Sequence, residues 1–74
     1  MRHHVLVKSD ETKVVFAEGF IEAQTCREAA VQLCQQRKSS IPTGETLYVV
    51  VESLEESCQF YVVSKVIFEV IGIG

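Results

Sequence analysis

One amphipathic segment interrupts a chain otherwise rich in β-branched residues, and from Thr25 to Lys38 it reads TCREAAVQLCQQRK. Thr25 and Glu28 match a capping box, in which the threonine side chain accepts a hydrogen bond from a backbone N–H of the first helical turn. Small apolar residues recur at the spacing of one helix face. They are Cys26, Ala29, Ala30, Leu33 and Cys34. The pattern predicts a helix over residues 26–38 that packs closely on a sheet but brings little apolar area.

Runs of β-branched and aromatic residues on both sides of this segment predict four strands. Two precede the helix, at residues 5–8 and 13–22, and two follow it, at residues 45–53 and 58–71. The order ββαββ predicts one α+β domain over residues 1–74. We expect two layers: a four-stranded, mainly antiparallel sheet with one helix packed on one face.

A four-residue turn at residues 54–57 predicts which residues of the last two strands lie opposite each other. Val51 then pairs with Phe60 and Val49 with Val62, and this apolar face is expected under the helix. The other face carries six apolar side chains among polar ones. They are Tyr48, Val50, Tyr61, Val63, Ile67 and Ile71. Because a single helix covers only one side of a sheet, we expect these six residues to form an interaction surface.

The last predicted strand is longer than the strand with which it pairs, so residues 65–71 lack a hairpin partner. Unpaired strand edges are a liability that proteins cover. We expect this overhang to pair either with the second strand, around residues 19–22, or with the edge of a neighbouring chain.

The composition restricts the class of protein. The chain has 74 residues, 47% of them hydrophobic and 23% charged, with a net charge of −3. This excludes intrinsic disorder, and the acidic balance argues against a nucleic-acid partner. No apolar run exceeds five residues, which argues against a membrane span. A core in a chain this short supplies only about 3–5 kcal/mol, so we expect a homo-oligomer, a dimer or higher.

Cysteine and histidine usage predicts neither a disulfide nor a metal site. Cys26, Cys34 and Cys58 are an odd number, and residues 1–8 contain no apolar signal segment, which favours the reducing cytoplasm. The two helical cysteines would lie about 12 Å apart, too far to bridge. The adjacent histidines at positions 3 and 4 would point to opposite faces of a strand, so we expect a solvated pair with no metal and no cofactor.

Cys26 is the candidate catalytic residue. It opens the predicted helix, where backbone N–H groups and the neighbouring Arg27 favour a thiolate. The alternative interpretation is a small buried residue beside Ala29 and Ala30. No histidine lies near Cys26 in sequence.

The segments TCREAA at residues 25–30 and GETLYVVV at residues 44–51, in a chain of this length, resemble compact orphan proteins encoded by the mobile gene cassettes of bacterial integrons. The resemblance implies a bacterial cytoplasmic protein, often oligomeric, with no assigned activity. It carries over no functional residue.

These observations favour a non-enzymatic, self-associating interaction module that uses the open face of its sheet. Two alternatives stay open. One is a small-ligand-binding protein whose pocket forms between subunits, and the other is a thiol enzyme that uses Cys26.

Overall fold

Five strands and one α-helix form two layers in the computed structural model, which describes residues 1–42, 46–53, 58–64 and 68–73. The elements are β1 (Arg2–Ser9), β2 (Val15–Glu22), α1 (Cys26–Gln36), a 3₁₀ helix (Lys38–Ser40), β3 (Thr46–Ser53), β4 (Gln59–Ser64) and β5 (Glu69–Gly72). The sheet has the order β2-β1-β3-β4-β5, and every neighbouring pair is antiparallel. The α+β class with one helix is confirmed, whereas the predicted number of four strands is wrong.

The additional strand comes from the segment predicted as one strand over residues 58–71. β4 ends at Ser64, and β5 begins at Glu69 directly opposite it. Phe68, just before β5, has φ 50°, a left-handed conformation that an extended strand does not contain. β5 therefore folds back on β4, which supplies the partner that we expected in β2 or in a neighbouring chain. Residues 65–67 lie outside the described residues.

The helix begins where the capping residue predicts. The Glu28 backbone N–H donates to Thr25 Oγ1 at 3.1 Å, and α1 starts at the next residue, Cys26. It ends at Gln36, two residues before the predicted end. The Arg37 N–H still donates to the Leu33 carbonyl at 3.0 Å before the chain tightens into the 3₁₀ helix.

The core lies between α1 and one face of the sheet, and α1 packs against all five strands. Its small side chains let it lie close to β1 and β2. A Cβ atom added to Gly19 would be only 3.2 Å from Leu33 Cδ1, so the absence of a side chain at this position leaves room for the leucine. The buried residues of the sheet in this cluster are Val5, Val7, Ala17, Ile21, Leu47, Val49, Val51, Tyr61 and Val63.

The hairpin register between β3 and β4 differs by one residue from the prediction. Val51 lies opposite Gln59 rather than Phe60, and Val49 lies opposite Tyr61. Because side chains alternate along a strand, a shift of one residue moves every side chain of β4 to the other face. Tyr61 and Val63 therefore lie in the core under α1, at 8% and 0% exposure, and their predicted place on the uncovered face is wrong. The predicted turn at residues 54–57 lies outside the described residues.

Candidate functional site

The candidate site is the face of the sheet turned away from α1, which we call the open face. Alternation along the paired strands determines which described residues lie on it. They are Arg2, His4, Leu6 and Lys8 on β1; Val15, Glu18, Phe20 and Glu22 on β2; Thr46, Tyr48, Val50 and Glu52 on β3; Phe60, Val62 and Ser64 on β4; and Glu69, Ile71 and Gly72 on β5. The face is apolar in its centre, charged near the two ends of β1, and mixed towards β5, where Ile71 lies near Ser64 and Glu69.

Three of the six residues predicted for the interaction surface lie on the open face. Tyr48 is partly buried and Ile71 is 62% exposed. Val50 lies on the same face but is only 6% exposed. The fourth residue, Ile67, lies outside the described residues, and the other two are the core residues of β4.

An aromatic pair occupies the centre of the open face. The rings of Tyr48 and Phe60 stack with their centroids 5.6 Å apart. Val50 is the cross-strand partner of Phe60 and lies two residues from Tyr48 on the same strand, so the two rings shield it from water. Phe60 and Val62 were predicted to lie on the opposite face, under the helix. Their face depends on the pairing register of β3 and β4.

Carboxylates cluster around His4 at the end of the open face where β1 begins. His4 Nε2 donates to Glu18 Oε2 at 2.6 Å, and His4 Nδ1 lies 3.7 Å from Glu52 Oε2. The His4 ring also stacks on Phe20, with 5.0 Å between centroids, and the Arg2 guanidinium lies 4.5 Å from the centroid of the same Phe20 ring. This end of the face therefore combines an exposed aromatic ring with two accessible carboxylates.

A cavity of about 370 Å³ opens beside this cluster, and Arg2, His4, Phe20, Glu52 and Ser53 line it. Its volume lies within the range of small-molecule sites. The Glu52 side chain is 56% exposed, and its carboxylate borders the cavity. The cavity is therefore suited to a cationic group carried on an apolar stem.

Lysines occupy the other end of the open face. Lys8 pairs across the sheet with Tyr48. Lys13, in the β1–β2 loop, has φ 62° and places its ammonium 4.1 Å from the centroid of the Tyr48 ring. The same ammonium donates to the Asp10 carbonyl at 2.7 Å. The charge of the open face thus changes from acidic to basic along β1.

Folding brings together a cysteine and a histidine that are far apart in sequence. Cys26 Sγ lies 3.8 Å from His3 Nδ1, and His3 Nε2 donates to the Ala23 carbonyl at 3.1 Å. The Nε2 proton leaves Nδ1 free to accept from the thiol. His3 is 1% exposed and Cys26 is 5% exposed, so the thiol is too buried to contact a substrate from solution. The geometry favours the structural interpretation of Cys26.

The prediction of a solvated histidine pair is wrong for His3, which is buried under α1. His4 lies on the open face, so the expectation that the two rings point to opposite faces is confirmed. Within the described residues, no three His, Cys, Asp or Glu side chains converge to hold a metal ion.

Alkylation of the native protein with iodoacetamide should modify Cys58 first and leave Cys26 and Cys34 unmodified until the chain unfolds. Cys58 is exposed and the other two thiols are buried. Desolvation and the Glu52 carboxylate raise the pKa of Cys58, and the Lys8 ammonium opposes them. At pH 7 Cys58 should therefore react more slowly than glutathione, and faster as the pH rises, because the thiolate is the nucleophile.

Peptide mass spectrometry after timed alkylation measures the rate at each cysteine. Glu52→Gln should accelerate the reaction of Cys58, because it removes a negative charge that opposes the thiolate. Rapid modification of Cys26 in the folded protein at pH 7 would contradict its structural role and favour the thiol enzyme.

Comparison of the chain with protein-family models, with curated proteins and with solved structures finds no match. Among the described residues, no helix has both the length and the apolar character needed to cross a bilayer.

Proposed function

We propose that this protein is a non-enzymatic self-association module, in which the open face of one copy packs against the open face of a second copy. One observation carries the proposal. The helix covers a single face of the five-stranded sheet, while Phe20 and Ile71 project from the other face at 60% and 62% exposure. Large apolar side chains on a continuous uncovered face are typical of an interaction surface.

A stable dimer would use a modest share of the accessible surface of this chain. A standard interface removes about 800 Å² from each partner, just under a fifth of the 4399 Å² that is accessible on this chain. Burial of apolar area stabilises by about 25 cal/mol per Å² before the costs of association are subtracted. Because the core of a chain this short supplies only about 3–5 kcal/mol, association would contribute substantially to stability.

The proposed setting is the cytoplasm. Three cysteines that form no disulfide, two of them buried, support a reducing compartment. Origin in a bacterial integron cassette is part of the proposal and rests on the resemblance described above. The genes that flank the coding sequence would test it.

A second candidate is a small-ligand-binding protein, and the cavity beside His4 is the observation that favours it. The cavity opens at one end of the same face, so a second copy on that face would close it and form a pocket between subunits. The two candidates differ in what happens without a ligand, because only the first predicts association of the purified chain alone.

Val62→Glu should weaken association at least about 100-fold, because a carboxylate in the centre of an apolar interface must lose its water without gaining a partner. Val62 is partly buried on the open face. Sedimentation velocity between 1 µM and 100 µM, roughly the range that separates moderate from weak dissociation constants, would measure the effect.

The matched control is Val31→Glu, which changes a partly buried valine on α1, on the opposite side of the molecule. It should leave association unchanged. A wild-type chain that sediments as a monomer throughout this concentration range would contradict the proposal, as would equal effects of the two substitutions.

A further inference from the structure

The open face carries opposite charges on the two sides of a central row of cross-strand partners, and the following inference rests on the proposed self-association. The row is apolar at Leu6, Val50 and Phe60. It ends on β2 at Glu18, whose carboxylate bonds to His4. His4 lies two residues before Leu6 on β1 and pairs with Glu52. Lys8 lies two residues after Leu6 on the same strand. Each step is about 7 Å, because a strand rises about 3.4 Å per residue.

Among the described residues, Lys8 and Glu52 are charges of this face that form no hydrogen-bonded ion pair. Glu18 bonds to His4 at 2.6 Å, and Glu22 pairs with the amino terminus at 3.3 Å. Glu52 lies 3.7 Å from His4, which is too long for a hydrogen bond, and its charge also acts on the Cys58 thiol. Among the described residues, Lys8 forms no salt bridge.

The charge pattern distinguishes two ways of packing two open faces about a two-fold axis. A row here means a set of cross-strand partners. An axis parallel to the strands places each row of one copy over the same row of the other. Lys8 then lies near Lys8 of the partner subunit, and Glu52 lies near Glu52 of the partner subunit. An axis across the strands, through the row of Leu6 and Val50, reverses the order of rows. Lys8 then lies over the His4–Glu52 row of the partner subunit. Because like charges at an interface cost free energy, the second arrangement is favoured.

We propose that two copies pack with the two-fold axis across the strands, so that Lys8 of each copy enters the cavity beside His4 of the other and pairs with Glu52. A lysine side chain spans about 6 Å, and facing sheets lie about 10 Å apart, so the ammonium reaches the partner's carboxylate. The exposed ring of Phe20 offers an apolar wall for the lysine stem. Arg2, the other cation at the cavity, is held on the Phe20 ring.

The test is rescue of association in trans. Lys8→Glu places two like-charged carboxylates at each contact, and Glu52→Lys places two ammonium groups there. Each variant alone should associate about tenfold more weakly than the wild type. An equimolar mixture should form heterodimers with near wild-type affinity, because every contact then joins a carboxylate to an ammonium. Fluorescence anisotropy measures the dissociation constant of the heterodimer, and circular dichroism verifies that each variant is folded.

The control pair is Arg27→Glu and Glu28→Lys, which makes the same charge changes on the exposed side of α1. Neither control variant nor their mixture should alter association. A gain in affinity on mixing Lys8→Glu with Glu52→Lys, and no gain on mixing the two control variants, supports the pairing of Lys8 with Glu52.

The outcomes separate this inference from the proposed function. If the wild type dimerises but Lys8→Glu does not weaken the dimer, the pairing is wrong, self-association stands and the cavity is open to a small ligand from solution. Weakening of both single variants without rescue in the mixture also overturns the pairing. A wild type that is monomeric at every concentration overturns both proposals together.

Discussion

Replacement of Tyr61 by glutamate is expected to leave the chain unfolded at 25 °C and pH 7. Tyr61 is 8% exposed within the cluster beneath α1. A carboxylate in that place must lose most of its hydration or take up a proton, at a cost of several kcal/mol, and the loss of the buried ring adds about 3–5 kcal/mol. The sum exceeds the approximately 3–5 kcal/mol that the whole core supplies. Far-ultraviolet circular dichroism should show no helix signal and no cooperative thermal transition.

The chain contains only one other tyrosine, which makes a matched control. Tyr48 lies partly buried on the open face, where a glutamate keeps contact with water and has Lys13 nearby. Tyr48→Glu removes the stacking on Phe60, worth about 0.5–1.5 kcal/mol, and should retain the helix signal while association weakens. If Tyr61→Glu folds normally and Tyr48→Glu does not, the register of β3 and β4 described above is wrong.

Leu33→Ala is the second substitution with a large expected effect. Leu33 is 1% exposed and is the largest side chain of α1 that is fully buried. A change from leucine to alanine in a core costs about 2–5 kcal/mol, because the apolar contacts are lost and the surroundings only partly fill the cavity. The side chain lies close over Gly19, which has no Cβ with which to fill the space. In a domain of this size we expect the thermal midpoint to fall by more than about 10 °C.

Val31→Ala provides the comparison on the same helix. Val31 is partly buried on the outer side of α1, and alanine has the higher helix propensity. The midpoint of urea unfolding should therefore change little, while Leu33→Ala lowers it strongly. Similar shifts for the two variants would show that α1 does not pack on the sheet through Leu33. Measurements at one fixed protein concentration keep association from contributing differently to the two values.

The helix was predictable because its signals are local. The start of α1 depends on Thr25 and on backbone groups within one turn, and its buried stripe depends only on the 3.6-residue period. The division of the last segment into β4 and β5 was not predictable, because residues 65–68 contain no Gly, Pro, Asn or Asp to mark a turn. A left-handed Phe68 is rare for an aromatic residue, and propensity rules do not anticipate it.

The candidate site was predictable only in part, for a related reason. That one face would be left uncovered follows from counting helices and strands, and Tyr48, Val50 and Ile71 were assigned to it correctly. Tyr61 and Val63 were assigned to the wrong face, because a shift of one residue in the pairing of β3 and β4 moves the side chains of β4 to the other face. The proximity of His3 and Cys26 joins the first strand to the start of the helix across 23 positions, and no local pattern encodes such a contact.

The α+β class and the order of elements from β1 to β3 thus follow from the chain alone, because period, capping and β-branched composition act over a few neighbouring residues. The assignment of Tyr61 to the core, and the separation of Lys8 and Glu52 to opposite sides of one row of cross-strand partners, required the assembled sheet. These features depend on pairing between distant strands. The favoured pairing is the one that buries the apolar side chains best under a single helix. The free energy of that packing comes from the whole core, so it cannot be inferred from any short segment.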